Sequence, residues 1–223
     1  MKRASDHNAR SRALAELHDQ LGLSQAPLRI ECFDMAHLQG TDYVGSMVVL
    51  EDGLPAKREY RKFNVRDVPG NDDYAAMREV LTRRLSAYVH ERDTPAGERG
   101  EKPGRFAYPP QLLLVDGGRG QLNVAIEVLH ELGLEDEIDV AALAKRFEEV
   151  YLANRDEPVM LPRGSEALFM LQVVRDEAHR FANTFHRERR SRRMRASELD
   201  DIAGLGPKRR ERLLKELGEI GRA

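Results

Sequence analysis

Cysteine and tryptophan are almost missing: the 223 residues hold one cysteine, Cys32, and no tryptophan. A single thiol cannot close an internal disulfide, so the chain reads as a protein of a reducing compartment. No apolar run approaches the length that crosses a bilayer, and the polar start lacks the apolar centre of a secretory signal. A cytoplasmic location is the expectation. An excess of positive charge is also lacking: 36 Lys and Arg against 38 Asp and Glu leave a net charge of −2. Any surface for a polyanion must therefore be local. What is present suffices for folding. Hydrophobic residues make up 41% and charged residues 33%, which excludes a wholly disordered chain. The length fits one generous domain, or one domain with a small appendage, and no internal repeat is evident.

Leu14, Leu17 and Leu21 recur at helical spacing and Gly22 is a natural stop, giving a leader over residues 1–27. Strands follow at 28–34, 43–50 and 57–65, the second and third separated by the turn signal Asp52-Gly53. Met77, Val80, Leu81, Leu85 and Tyr88 then share a helical face behind Asp72-Asp73. Residues 90–110, rich in proline, glycine and charge, read as a loop. The continuous apolar run 111–116 suits a strand buried on both faces. A helix through Leu122, Ile126, Leu129 and Leu132 follows, then a strand at 140–144 and a hairpin around Asn154-Arg155-Asp156. A long helix capped by Ser165 carries Leu168, Leu171, Val174, Ala178 and Phe181. Three antiparallel strands followed by alternating helices and strands predict an α/β fold, a mixed sheet flanked by helices in the RNase H-like order. The arginines between 187 and 195 read as a basic linker or a helix end. The expected division is a leader at 1–27, a main domain at 28–190, and a linker with a small helical tail at 191–223.

Asp34 is expected to end the first strand and Asp116 the fourth. In this order the two strands are parallel neighbours, so both carboxylates emerge at one edge. Each alone could be an ordinary strand end; together they suit Mg²⁺ or Mn²⁺, which bind few carboxylates and keep positions for water and phosphate oxygens. His179 falls on the shoulder of the last helix, where an imidazole can ligate a metal or move a proton, though a lone histidine is more often structural. Asp72 and Asp73 open the first long helix; one is a cap and the other, Asp73, is a candidate for the same site. Lys145 could meet a backbone phosphate or be a solvated surface residue. Gly117-Gly118-Arg119-Gly120 lacks the spacing of a dinucleotide or P-loop fingerprint, so a tight turn beside Asp116 explains it better, with Arg119 free to meet phosphate. Gly204-Leu205-Gly206, followed by Lys208, Arg209 and Arg210, makes a hairpin whose bare N–H groups suit sequence-independent phosphate contact.

Together these motifs resemble the UvrC family, the incision subunits of the bacterial nucleotide-excision-repair excinuclease, over its C-terminal half. The resemblance is carried by residues 29–34, 46–49, 72–75, 115–121, 175–181 and 204–210, and covers nearly the whole chain from about residue 28. It implies an RNase H-like, metal-dependent endonuclease that makes the incision 5′ of a lesion. Asp34, Asp116 and His179 fall on the family's catalytic and metal positions, and Asp73 on a further acidic position tied to incision. Gly204 and Gly206 fall on its helix-hairpin-helix loop. The implied partners are damaged double-stranded DNA and UvrB, with UvrA upstream. Ala36 stands where the family carries a small hydroxyl residue, and one hairpin is present where the family has two. A non-catalytic module that binds DNA and assembles the repair complex is the alternative, and the complete Asp–Asp–His trio argues against it.

Overall fold

A computed structural model of the chain describes residues 2–38, 42–65, 72–95, 106–145 and 148–200, together with 68, 98 and 104. The elements are α1 (Lys2–Leu21), β1 (Arg29–Leu38), β2 (Asp42–Glu51), β3 (Leu54–Pro55), a 3₁₀ turn (Lys57–Glu59), β4 (Arg61–Asn64), α2 (Asp73–Asp93), β5 (Leu112–Asp116), α3 (Arg119–Glu131), β6 (Asp139–Ala144), β7 (Glu149–Leu152), β8 (Val159–Met160) and α4 (Glu166–Asp200). Contacts divide the chain into two compact units, Met1–Ala182 and Asn183–Ala223. In the second, α4 continues to Asp200. The expected hairpin at 204–210, with Gly204, Gly206, Lys208 and Arg209, lies outside the described residues.

One mixed sheet organises the first unit, in the order β3-β2-β1-β5-β6-β7-β8 with β4 also paired to β2. β1, β5 and β6 are parallel and every other pairing is antiparallel. The central strands are covered on both faces, which is why 112–115 is apolar at every position. Ile30, Cys32, Leu112 and Leu114 face a layer made by Leu14, Leu17 and Leu21 of α1 and Leu171, Val174 and Ala178 of α4. Phe33, Leu113 and Val115 face Val80 and Leu81 of α2 and Leu122 and Val128 of α3. Local chemistry sets the helix ends. α1 stops at Gly22, whose φ of +63° an L side chain rarely adopts. Asp72 caps α2 by accepting from Ala75 N at 2.9 Å, and Ser165 Oγ caps α4 by accepting from Leu168 N at 3.1 Å.

Two boundaries differ from the sequence expectation. The strand expected at 57–65 opens as a 3₁₀ turn, because Glu59 N closes onto Ala56 O at 2.8 Å before β4 begins. α2 runs on to Asp93, where Thr94 Oγ1 donates to His90 O at 2.6 Å and ends it. The arginines between 187 and 195, read as a basic linker or a helix end, fall within α4, which runs to Asp200: no glycine or proline interrupts 166–200, and arginine is a good helix former.

A charged network is buried on the α2 face. Glu31 and Arg84 are both 0% exposed, and Arg84 grips the carboxylate with Nε to Oε2 at 3.0 Å and Nη2 to Oε1 at 2.7 Å. Arg29 adds a bond from Nε to Glu31 Oε1 at 3.1 Å. Arg84 also donates to Tyr108 O at 2.7 Å and Phe106 O at 3.3 Å, tying the segment before β5 to the sheet. Buried charges persist only when so paired.

Candidate active site

Strand alternation brings the two carboxylates to one place. Side chains two apart share a face, so the run that buries Ile30 and Cys32 under α4 ends with Asp34, and Leu112 and Leu114 lead to Asp116. The parallel ladder between β1 and β5 closes at Phe33↔Val115, so the next residue on each strand is an aspartate. Asp116 ends β5 as expected. Asp34 does not end β1, which continues to Leu38 because its pairing with β2 outlasts β5. The carboxylates converge where the parallel ladder stops, not where both strands stop.

α4 crosses this face and supplies the third group. Ala178 is 0% exposed and its small side chain lets the helix approach the sheet. The next residue, His179, stands at the helix shoulder with its side chain 49% exposed and Nδ1 at 3.3 Å from Asp34 Oδ2. One ligand atom from each of Asp34, Asp116 and His179 lies within 4.8 Å of the others. Burial first, then the charge of Asp116, raises the Asp34 carboxyl above its ordinary value, while His179 and Lys145 pull it back. Asp116 is likewise raised by burial, against the opposing charges of Lys145, Arg175 and His179.

Two carboxylate oxygens and one imidazole nitrogen form a donor set suited to Mg²⁺ or Mn²⁺. Burial raises both carboxyls, and a cation held between them would offset that desolvation cost. Cys32 lies beneath the pair, and its thiol is held well above the usual range by burial and then by Asp116 and Asp34. It stays protonated and is no nucleophile.

The other candidates separate. Lys145 is exposed just beyond β6, close enough for its charge to act on both aspartates. Asp73 is not part of the three-residue cluster. It accepts a hydrogen bond from the Tyr43 hydroxyl, while its neighbour Asp72 takes the capping role. Arg119, expected on a phosphate, instead donates to the carbonyls of Leu152, Arg155 and Asp156 and lies over the Tyr151 ring. Its guanidinium pins the β7–β8 turn. Gly117 and Gly120 serve close packing: a Cβ at Gly117 would meet Gln121 Cδ at 2.7 Å, and one at Gly120 would meet the Tyr74 hydroxyl at 2.4 Å. Two residues outside the expected set complete the surroundings. Arg175, 7% exposed, lies one helical turn before His179 and pairs with Glu148 at 2.8 Å, and its charge lowers the Asp116 carboxyl. Its spacing of four from His179 was the available signal. Ser46, fully buried, sits opposite Asp34 on β2.

The strand order, and two aspartates meeting beside the central parallel pair, place the chain among RNase H-like domains of endonuclease type. Residues 18–183 match the family described as the UvrC RNAse H endonuclease domain, and the chain belongs to that family. Its relatives include the UvrABC system protein C of Parafrankia sp. (strain EAN1pec), 54% identical over 99% of this chain and 34% of that protein. Those of Mycobacterium leprae (strain TN) and Streptomyces avermitilis are 55% and 52% identical, over 100% and 98% of this chain and 35% and 34% of theirs. The chain thus spans about a third of the length of these relatives. Among solved structures, human ENDOV aligns over 80% of this chain and 97% of its own at 14% identity, with a TM-score of 0.42, a likeness too loose to bear on function.

Proposed function

We propose that this chain is the divalent-metal-dependent endonuclease centre that hydrolyses a DNA phosphodiester 5′ of a lesion during nucleotide-excision repair. The observation that carries the reading is the convergence of Asp34, Asp116 and His179 within 4.8 Å. These three residues would hold Mg²⁺ or Mn²⁺. When bound, such an ion lowers the pKa of a coordinated water and offsets charge on the phosphate. The chain's own groups do the rest. Asp34 and Asp116, ionised, set the negative side of the site. His179 turns Nδ1 to Asp34, which sets that ring nitrogen beside the carboxylate oxygens as the third donor atom. Lys145 supplies positive charge at the rim for a backbone phosphate. Asp73, held by Tyr43, belongs to the incision machinery from the adjoining helix end. Gly204, Gly206, Lys208 and Arg209 grip the DNA backbone through a helix-hairpin-helix.

The relatives' name, UvrABC system protein C, supports UvrA and UvrB as partners; damaged double-stranded DNA as the substrate and the cytoplasm as the setting belong to the same proposal. The test is incision of a lesion-bearing duplex in the presence of UvrA, UvrB and Mg²⁺ or Mn²⁺. Asp34→Asn and Asp116→Asn should each abolish the 5′ cut while leaving DNA binding intact. Cutting at the wild-type rate by either variant overturns the assignment, and would favour the assembly-module alternative.

A further inference from the structure

Ser46 is a buried hydroxyl without a packing rationale. It sits on β2 between Gly45 and Met47, opposite Asp34 in the β1–β2 ladder, and is 0% exposed. The same strand face carries Val48 and Leu50, both in the apolar layer under α1 and α4, and a valine would suit that layer better than a hydroxyl. What Ser46 reaches explains its presence. Its Oγ lies 3.3 Å from the backbone carbonyl of Asp34 and 3.3 Å from that of Ala178. The first acceptor belongs to the residue that brings one carboxylate, and the second to the residue immediately before His179.

We infer that Ser46 is a positioning residue of the metal site: its hydroxyl ties α4 to β2 directly opposite Asp34 in the β1–β2 ladder, and so sets the spacing between His179 and Asp34. A hydroxyl has one proton, so it donates to one carbonyl at a time or is shared between them. Donation to Ala178 O links α4 to β2, which β-ladder bonds do not join, while donation to Asp34 O stays within the β1–β2 ladder. Leu171, Val174 and Ala178 pack α4 on the sheet through apolar contact, which is non-directional. The polar bonds of Arg175 to Glu148 and of Tyr60 to Glu177 run through long side chains that tolerate shifts of fractions of an ångström. The polar tie removes that freedom at the one point along the helix where the imidazole must meet the carboxylate. Glycine at 45 contributes from the other face. A Cβ there would meet Val80 Cγ2 at 2.6 Å, so α2 presses on β2 beside Ser46 and leaves the strand little room to shift. Metal sites depend on such supporting bonds, whose removal typically lowers metal affinity or activity by about 10–100-fold.

The inference rests on the metal-site reading above, and the test separates the two. Mn²⁺ affinity is measured by titration calorimetry on the wild type, Ser46→Ala, Val48→Ala and Asp34→Asn, with the melting temperature and incision kinetics of each. Val48→Ala loosens the same layer without touching the tie. The expected result is about 10-fold weaker Mn²⁺ binding and lower kcat at unchanged KM for DNA in Ser46→Ala, near-wild-type affinity in Val48→Ala despite its lower melting temperature, and no binding in Asp34→Asn. Wild-type Mn²⁺ affinity in Ser46→Ala, with binding still lost in Asp34→Asn, overturns the role of Ser46 alone. Equal weakening in Ser46→Ala and Val48→Ala also overturns it, by reducing it to general packing. Absence of Mn²⁺ binding by the wild type overturns the metal reading, and this inference with it.

Discussion

Replacing Arg84 with methionine keeps most of the side chain's volume and removes its guanidinium from a carboxylate that water cannot reach. Glu31 would retain only Arg29, whose Nε and Nη2 lie at 3.1 and 3.0 Å from Oε1, and would lose both bonds from Arg84. Breaking a buried pair from one side costs about 3–5 kcal/mol, because an incompletely compensated charge stays inside. The surviving Arg29 argues for the lower half of that range. The lost bonds to Phe106 O and Tyr108 O add about 1 kcal/mol each at most, since water can replace donors there. The expected total is about 3–6 kcal/mol. At roughly 2–4 °C per kcal/mol for a chain of this size, the melting temperature should fall by about 6–24 °C. Urea unfolding followed by circular dichroism measures the loss directly. The double variant Glu31→Leu with Arg84→Met removes the stranded charge and should be more stable than Arg84→Met alone, because Arg29 keeps Glu51 and Glu59. A loss below about 1 kcal/mol in Arg84→Met, or a double variant no better than that single variant, would refute this account of the pair.

Asp34→Asn should stabilise the fold near neutral pH. The Asp34 carboxyl is raised above 3.8 by burial and by Asp116, so its contribution to stability is full below the unfolded pKa and is lost as pH rises through the raised folded value. The variant's advantage in melting temperature, measured in chelator, should therefore vanish toward about pH 3 and be largest above the raised pKa; a difference independent of pH contradicts the linkage. His179→Ala should lower turnover by about 100-fold or more while DNA affinity stays within about twofold, and a pH–rate profile matching the wild type would make His179 structural. Paired substitution of Lys208 and Arg209 by alanine should weaken DNA binding equally for all sequences and reduce the slope of log affinity against log salt by about two. An unchanged slope would remove that segment from the phosphate contacts. Arg119→Met should destabilise the β7–β8 turn, seen as faster amide exchange at 152–156, without changing that salt slope, since its donors engage carbonyls.

Periodicity alone determined most of the architecture. Alternation and apolar runs located the central strands, and the order of strands and helices selected an RNase H-like sheet, because buried faces leave their repeat in the chain. The same repeat put Asp34 in line with Ile30 and Cys32, and Asp116 in line with Leu112 and Leu114, so the carboxylate pair was legible once the two strands were taken as parallel neighbours. His179 could be placed on a helix shoulder but not against Asp34. That contact depends on how closely α4 approaches the sheet, a matter of Ala178 and Ser46 on different elements. Arg119 shows the opposite case. A basic residue at a helix start carries no local mark of whether it faces solvent or its own chain, and only the fold brings the carbonyls of 152–156 beneath it. The end of β1 was misplaced for a related reason: nothing near Asp34 breaks the strand, and the site's edge is set by where β5 stops. Local sequence settles which way a side chain points along its own element. Which groups meet it from elements distant in the chain is decided by packing, through burial and polar satisfaction that no single segment contains.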